Sequence, residues 1–116
     1  MELSEAIRKG SKLRPQSFGA HYGKTPDGSL GTCVLGAAHE GAGCITITTT
    51  ADGMVQIEAH PEVPAFPLLD EYTDGPLPCG CDDVGTQIGA ILVHLNDEHH
   101  WPRERIASWA RHIERK

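Results

Sequence analysis

Apolar residues recur at helical spacing near the start of the chain. The apolar and small residues that share one side are Leu3, Ala6, Ile7, Gly10 and Leu13. This spacing is typical of a helix with one buried face. We expect Ser4 to cap the start of this helix. We expect Pro15 to end it, because proline disfavours helical backbone at the residue before it.

A second helix is predicted over residues 33–40, which read CVLGAAHE. Thr32 is expected to act as its N-cap and Gly41 as its C-terminal stop. Three small residues at its centre, Gly36, Ala37 and Ala38, would let this helix pack closely against another element.

Strict alternation of apolar and polar residues replaces the helical pattern after residue 44. Residues 45–50 are mostly β-branched and alternate in this way, and residues 55–59 repeat the alternation. The dipeptide Asp52-Gly53 suits a tight turn, because both residues can adopt positive φ. We therefore predict a β-hairpin from about 45 to 59. A two-stranded hairpin alone is marginal in water, so its apolar face should rest on the helices.

Two segments have the composition of loops. Residues 16–31 are rich in Gly, Pro, Asp and Ser, which predicts a loop with a turn at Pro26-Asp27-Gly28. Residues 60–78, the strap, contain five prolines and should form no regular structure beyond a turn near residues 66–72. Its larger apolar side chains are expected to close one side of the core, or alternatively to dock on a partner. They are Phe66, Leu68, Leu69 and Tyr72.

Two further helices are predicted towards the C-terminus. The first, from about Val84 to Asn96, is indicated by apolar residues at positions i, i+3, i+4 and i+7. They are Ile88, Ile91, Leu92 and Leu95. Pro102 suits the first position of the second helix, with Trp101 at its cap and Glu104 near the positive end of the helix dipole. Its apolar stripe consists of Ile106, Trp109, Ala110 and Ile113.

Cysteines and histidines frame the first of these two helices. Cys79 and Cys81 are one residue apart, His94 follows after twelve residues and His99 after four more. This is close to the Cys2His2 zinc spacing, although two to four residues normally separate the cysteines. The sequence predicts a closed structural zinc site, with His100 as an alternative fourth ligand. Because His94 and His99 are five apart, the helix must end between them for both to face one ion.

The other cysteines lie in a different part of the chain. Cys33, His39 and Cys44 permit a second metal site in principle, but their irregular spacing favours buried core cysteines. The sequence has no apolar signal segment and no stretch that approaches the length of a membrane span. We therefore predict a cytoplasmic protein with free thiols. A disulfide between Cys33 and Cys44 is the alternative for an exported protein.

Charge is segregated along the chain, whose net charge is -6. Residues 1–24 and 101–116 each carry five basic and two acidic residues, whereas all 12 charged residues between them are acidic. One interpretation is that the two basic ends fold together and pair with the acidic middle, which leaves only solvated faces. The other is that the C-terminal helix pair, which resembles a helix-turn-helix, meets a nucleic acid or an acidic partner. The arginines available for this contact are Arg103, Arg105, Arg111 and Arg115.

Three segments resemble a group of small bacterial and phage proteins. They are LSEAIRKGSKLRPQ (3–16), CVLGAAHEG (33–41) and HLNDEHHWPRERIASW (94–109). In that group a Cys-x-x-Cys element precedes HLND-x-H-x-W and a helix of the type RE-x-IA-x-W. This chain departs from the pattern in having Cys-Gly-Cys, and in having Pro102 where a Ser or Thr cap would be expected. The resemblance implies a Cys2His2-like zinc site and no catalytic residue.

Together these patterns predict one α+β domain over residues 1–116, with three to four short helices, one β-hairpin and a zinc-stabilised C-terminal helix pair. Its parts are the N-terminal helices (1–44), the hairpin (45–59), the strap (60–78) and the Cys2His2-like helix pair (79–116). We expect a non-enzymatic zinc-binding interaction or regulatory protein of phage origin, associated with a protein or nucleic acid. The alternatives are a small zinc-dependent hydrolase, with Asp82, Asp83 or Glu98 as the base, and an acidic inhibitor of a nucleic-acid-binding protein.

Overall fold

The computed structural model describes residues 1–64, 66–74, 76–81 and 86–116. Within these residues it has four α-helices and two antiparallel two-stranded sheets, so the predicted α+β class is confirmed. The elements in chain order are α1 (Leu3–Ser11), β1 (Tyr22–Lys24), β2 (Leu30–Thr32), α2 (Val34–Ala42), β3 (Ile45–Thr49), β4 (Val55–Ala59), α3 (Ile88–Asp97) and α4 (Arg103–Glu114). A 3-10 turn, Pro67–Asp70, interrupts the strap. None of the described helices is long and apolar enough to cross a membrane.

Helices α1 and α2 cross with their backbones in contact. A Cβ atom on Gly10 would lie 1.8 Å from the carbonyl oxygen of Ala37, and one on Gly41 would lie 2.1 Å from that of Ala6. No larger residue fits at either crossing point, which explains why both positions are glycine. Gly41 therefore lies inside α2, and the predicted stop there is wrong. The helix ends at Gly43, whose φ of 80° is the left-handed conformation typical of a C-terminal glycine.

The expected N-caps of α1 and α2 are wrong, because tertiary contacts engage both side chains. Ser4 lies within α1 and is fully buried, and its Oγ donates a hydrogen bond to the carboxylate of Glu114 at 2.7 Å. The N-cap of α2 is Cys33. Thr32 is also fully buried, and its hydroxyl accepts a hydrogen bond from Arg103 at 2.9 Å. Both hydroxyls thus form hydrogen bonds with residues of α4 and do not cap α1 or α2.

The C-terminal helices both start later than predicted. Helix α3 begins at Ile88, while Thr86 and Gln87 are not helical. Val84, the predicted start, lies outside the described residues. The N-cap of α4 is Pro102 itself rather than Trp101.

All four helices contribute to one hydrophobic core. Its helical members are Leu3, Ala6, Ile7, Val34, Ala38, Ile88, Ile91, Leu92, Leu95, Ile106, Ala107 and Ala110. Phe66 joins them from the strap, and Leu68, Leu69 and Trp109 pack at the edge. Tyr72 is 71% exposed, so the expectation that it would help to close the core is wrong.

The predicted hairpin from 45 to 59 is confirmed as strands β3 and β4, with Ile47 opposite Ile57. Its connection is a wider loop than the two-residue turn expected from Asp52-Gly53, because the amide of Thr50 donates to the carbonyl of Met54. Only Gly53 of the dipeptide has positive φ, at 86°. The apolar face is covered only beneath β3, where Ile47 is buried, since every residue of β4 is exposed.

The hairpin formed by β1 and β2 lies in the segment predicted to be a loop. Each strand has only three residues, too few for a recognisable alternation. The turn at Pro26-Asp27-Gly28 is nevertheless present, and Gly28 has φ 87°. Its sequence Thr-x-Asp-Gly matches the turn of the β3–β4 hairpin, and in both turns the threonine hydroxyl donates to the aspartate carboxylate. This hydrogen bond lowers the pKa of Asp27 and of Asp52.

Candidate metal centre

The two cysteines of the candidate site lie on a tight turn between the strap and α3. Gly80 separates them and has φ 82°, a conformation that non-glycine residues rarely adopt. Its amide donates a hydrogen bond to the carbonyl oxygen of Leu77 at 3.0 Å. The left-handed glycine reverses the chain between Cys79 and Cys81 within a single residue. This geometry explains how a spacing shorter than the usual two to four residues can still bring both thiols to one place.

The two histidines come from the end of α3 and from the turn that follows it. His94 lies in the last turn of the helix, which ends at Asp97. The amide of Trp101 donates back to the carbonyl oxygen of Leu95 at 3.0 Å, and His100 has φ 49°. It is the one non-glycine residue with positive φ in the part of the chain that the structure describes. The chain therefore folds back after the helix, as the spacing of His94 and His99 requires.

These elements bring Cys79, Cys81, His94 and His99 together. One ligand atom from each lies within 4.8 Å of the others. The Nε2 atoms of His94 and His99 are 3.1 Å apart, and Nε2 of His99 is 3.4 Å from Sγ of Cys81. His99 is exposed and the other three are half-buried. Two sulfur and two nitrogen atoms at such distances form a set that can hold a metal ion.

His100 is directed away from this cluster. Its ring stacks on that of Phe18, with ring centroids 4.1 Å apart and an angle of 26° between the planes. The structure thus brings His99, and not the alternative His100, to the candidate metal centre. Among the expected bases of a hydrolase, Glu98 is exposed at the end of α3. Asp82 and Asp83 lie outside the described residues.

A buried polar network that the sequence patterns did not predict lies beside the cluster. Its centre is Asn96, which is fully buried. The side-chain oxygen accepts hydrogen bonds from Nε2 of Gln16 at 2.8 Å and from the amide of Val34 at 3.2 Å. The side-chain nitrogen donates to the carbonyl of Ser17 at 3.1 Å and to the carboxylate of Asp97 at 2.7 Å. All four hydrogen-bonding positions of the amide are satisfied.

The pattern of α3 contained a signal for this residue. Asn96 follows Leu92 by four positions, so it continues the apolar stripe of the helix. An amide on a buried stripe must find hydrogen-bond partners, because an unpaired buried polar group is costly. Asn96 joins the end of α3 to the start of α2 and to the loop before β1.

Arg103, one of the arginines expected to contact a partner, is only 7% exposed. Its Nη1 donates to the carbonyl and hydroxyl oxygens of Thr32 at 3.1 and 2.9 Å. Its Nη2 donates to the carbonyl oxygens of Ser11 and Arg14 at 3.3 and 2.5 Å. This burial corrects the expectation that Arg103 would face a phosphate. Its guanidinium instead holds α4 against Thr32 of β2, the last residue of α1 and Arg14.

Other basic residues from the two ends of the chain form ion pairs or line a groove between α1 and α4. Arg8 pairs with Glu104 at 3.1 Å, and Arg115 pairs with Glu2 at 3.0 Å. In the described residues Arg14 alone pairs with the acidic middle, at 3.0 Å from Glu40. The basic ends therefore pair chiefly with each other. A groove between the two helices is lined by Glu2, Ser4, Glu5, Arg8, Lys9, Lys12 and Arg111.

The other arginine of the predicted set, Arg105, lies over the ring of Trp101. Its guanidinium carbon is 3.6 Å from the ring centroid, close enough for a cation–π interaction. Arg105 is exposed and lies next to the turn that carries His99 and His100.

The expected burial of Cys33 is confirmed, since it is 4% exposed, and burial raises the pKa of its thiol. Cys44 is half-buried, and none of the four cysteines, all of which lie in the described residues, forms a disulfide. Cys33, His39 and Cys44 form no second cluster of metal ligands among the described residues. The ring of His39 lies between those of His21 and Phe66. Burial, and to a smaller degree the neighbouring His21, lowers the pKa of His39.

Comparison of the chain with known protein families, with curated proteins and with solved structures gave no match. The candidate site therefore rests on the geometry of its four ligands.

Proposed function

We propose that this chain is a non-enzymatic zinc-binding domain that acts as an interaction or regulatory protein. The observation that carries the proposal is the convergence of Cys79, Cys81, His94 and His99 within 4.8 Å. Four protein ligands leave no position for a water molecule, which a catalytic zinc would require. Zinc thiolates need reduced cysteines, and a reducing compartment such as the cytoplasm keeps them so.

The distances support zinc as the metal. Zinc lies about 2.0–2.1 Å from histidine nitrogen and about 2.3 Å from cysteine sulfur, in tetrahedral geometry. Its ligand atoms are therefore roughly 3.3–3.8 Å apart. The separations of 3.1 Å between the two histidines and 3.4 Å between His99 and Cys81 are within a few tenths of an ångström of this range. Two thiolates and two imidazoles also favour zinc over magnesium or calcium, which prefer oxygen ligands.

The role of the metal is to fix the Cys-Gly-Cys turn to the joint between α3 and α4. That turn follows a proline-rich strap, in which Phe66 is the buried member of the core. A chain of 116 residues has a modest core, so a metal that joins the Cys-Gly-Cys turn to the end of α3 adds useful stability. It also holds α4 in place as part of a binding surface.

We place the partner-binding surface on the groove between α1 and α4. Lys9, Lys12 and Arg111 line it and form no ion pair with any described residue. These three cations form no ion pair in the part of the chain that the structure describes, although Glu2 and Glu5 line the same groove, and they suit a phosphate backbone. A nucleic acid is therefore the partner that we favour. The acidic middle of the chain would disfavour phosphate binding elsewhere on the molecule.

Cobalt(II) titration tests the metal site. Cobalt(II) in a tetrahedral site with two thiolates gives visible absorption bands that aqueous cobalt lacks, and zinc should displace it. We expect these bands in the wild type and in His100→Ala, and their loss or strong change in His99→Ala. Equal spectra for His99→Ala and His100→Ala would contradict the assigned ligand set.

Salt-dependent binding to nucleic acid tests the surface. Each phosphate contact contributes roughly 0.7 to 0.9 to the slope of the logarithm of the binding constant against the logarithm of salt concentration. Lys12→Gln and Arg111→Gln should each lower that slope by this amount. Lys24→Gln on β1 is the matched control, because Lys24 is also exposed but lies outside the groove. Binding without dependence on salt would exclude a phosphate contact, whereas no binding would favour a protein partner.

A further inference from the structure

The outer edge of strand β4 is open. In the part of the chain that the structure describes, the sheet consists of the two strands β3 and β4, and all five residues of β4 are exposed. Val55 and Ile57 are each 37% exposed, although they lie on the same face as the buried Ile47. Apolar side chains beside a free strand edge form a surface on which another strand can add.

The hydrogen-bond pattern shows which backbone groups this edge presents. The ladder is flanked by bonds from the amide of Thr50 to Met54 and from the amide of His60 to Cys44, each 2.8 Å long. In an antiparallel pair, hydrogen-bonded and non-hydrogen-bonded residue pairs alternate. In this register the hydrogen-bonded pairs are therefore Thr48 with Gln56 and Thr46 with Glu58.

The intervening residues of β4 consequently point their amide and carbonyl groups outward. They are Val55, Ile57 and Ala59. The equivalent position on β3 is Ile47, whose carbonyl accepts a hydrogen bond from Arg14 at 2.9 Å from outside the hairpin. No described group makes a corresponding bond to the outer edge of β4. Arg14 thus occupies the centre of the β3 edge, whereas the β4 edge has no such contact from the described residues.

Strand β4 also lacks the usual devices that protect an edge. Its sequence is VQIEA, with no lysine or proline and with Glu58 as its single charge. All five of its residues pair in continuous register with β3, so no bulge interrupts the strand. Such an edge is a template for pairing with a further strand.

We propose that β4 pairs antiparallel with β4 of a second copy of this chain, about a twofold axis at Ile57. In this register Ile57 lies opposite Ile57 of the partner subunit, and Val55 lies opposite Ala59 of the partner subunit. Gln56 lies opposite Glu58 of the partner subunit, so two amide–carboxylate pairs form on the other face. The outward backbone groups pair, and the two hairpins become one four-stranded sheet.

Charge selects this register over its neighbours. If the register between the two β4 strands shifts, each side chain stays on the same face of the sheet only when the shift is a multiple of two residues. One such step places Glu58 opposite Glu58 of the partner subunit, and like charges directly opposite are unfavourable. The step in the other direction brings Gly53 opposite Ala59 of the partner subunit, and Gly53 lies in the turn before β4 with φ 86°, so fewer strand residues pair. The symmetric register at Ile57 avoids both penalties.

Sedimentation equilibrium over a range of protein concentrations tests the proposal, with the full chain in the presence of zinc. We expect a monomer–dimer equilibrium. Ile57→Lys should abolish it, because two like charges would then meet at the axis. Ile57 is exposed enough for the monomer to keep its fold, which circular dichroism would verify. A wild type that stays monomeric up to about millimolar concentration, or an Ile57→Lys variant that dimerises as well as wild type, would overturn the proposal.

Two changes at Gln56 test the register itself. Gln56→Lys should tighten the dimer and Gln56→Glu should weaken it, each roughly three- to thirtyfold because two symmetric pairs change together. Thr48→Glu is the control, since Thr48 lies on the same face but on β3, away from the new pairing. A Gln56→Lys variant that weakens the dimer, or equal effects of the two Gln56 variants, would rule out this register.

Discussion

The end of helix α3 carries two polar sites that differ in how far the protein completes them. On one side Asn96 is fully buried, and all of its hydrogen-bonding positions are matched by protein groups. On the other side His94 and His99 face each other at 3.1 Å beside two thiols, at the surface. The first site is complete within the chain. The second gathers ligand atoms whose lone pairs a metal ion would satisfy.

The Asn96 network and the Cys/His cluster are therefore two different sources of stability, although both lie at the end of α3. The Asn96 network specifies how α3 meets α2 and requires nothing from solution. Under the proposed zinc binding, the cluster of Cys79, Cys81, His94 and His99 would contribute its full stabilisation only when an ion is bound. The two contributions can therefore be measured separately by adding or removing metal.

Removal of zinc should have the largest effect. A ligand that binds only the folded state stabilises it by about 4 kcal/mol when present at a thousand times its dissociation constant. We expect a chelator to lower the free energy of unfolding by about this amount in urea titrations of the wild type. Cys79→Ser should lose most of the zinc-dependent gain, whereas His100→Ala should keep it. An identical unfolding curve with and without chelator in the wild type would contradict the account.

Substitution of Asn96 should have the next largest effect. Asn96→Leu would leave the amide of Val34 and the carbonyl of Ser17 buried without partners, at about 1–3 kcal/mol for each group. We expect a loss of roughly 3 kcal/mol or more in the free energy of unfolding, measured by urea denaturation. The loss should be similar with zinc and with chelator, because the network does not include the metal ligands. A loss seen only with zinc would show that the two sites are one unit.

Substitution of Gly80 should strain the proposed metal site without removing a ligand. An alanine in left-handed backbone costs about 1–2 kcal/mol. Gly80→Ala should weaken zinc binding by about tenfold, measured by competition with a chromophoric chelator. Gly53→Ala is a matched control, since Gly53 has φ 86° and Gly80 has φ 82° with open space around both. Equal loss of zinc affinity in the two variants would contradict the role assigned to Gly80.

The pH dependence at His39 should be the smallest effect. Burial lowers the pKa of His39 below the ordinary value of 6.5, so the unfolded chain binds more protons than the folded protein. Stability should therefore be highest above about pH 6.5 and should fall as the pH drops below this value. His39→Gln should reduce this slope in zinc-free protein, measured by urea denaturation between about pH 7 and 5. An unchanged slope would assign the acid sensitivity to other groups.

The sequence patterns predicted those helices and strands whose residues alternate regularly between buried and exposed positions. The stripe of α3 and the alternation of β3 and β4 follow from periodic burial, and both elements were predicted. The spacing also indicated the four residues that could hold a metal ion, because all of them lie between residues 79 and 99. The short strands β1 and β2 escaped prediction because three residues do not establish a period.

Tertiary contacts explain what the sequence did not reveal. Ser4 and Thr32 have the composition of helix caps, yet they bond to Glu114 and Arg103 on α4, more than 70 residues away. Arg103 was predicted to be an exposed cation. Its burial depends on the carbonyl groups of Ser11 and Arg14, which are distant along the chain. No local pattern encodes these distant partners. Asn96 is the exception, because its position on the apolar stripe of α3 indicates that it is buried even when its hydrogen-bond partners are unknown.

The most direct test of the central claim is native mass spectrometry of protein purified without added metal. We predict one zinc ion per chain, with a mass that reports the loss of the two thiol protons of Cys79 and Cys81 on binding. The zinc should be lost in Cys79→Ser and His94→Ala and retained in His100→Ala. A wild type without zinc that also fails to take up added zinc, or equal zinc content in all these variants, would contradict the assigned metal site.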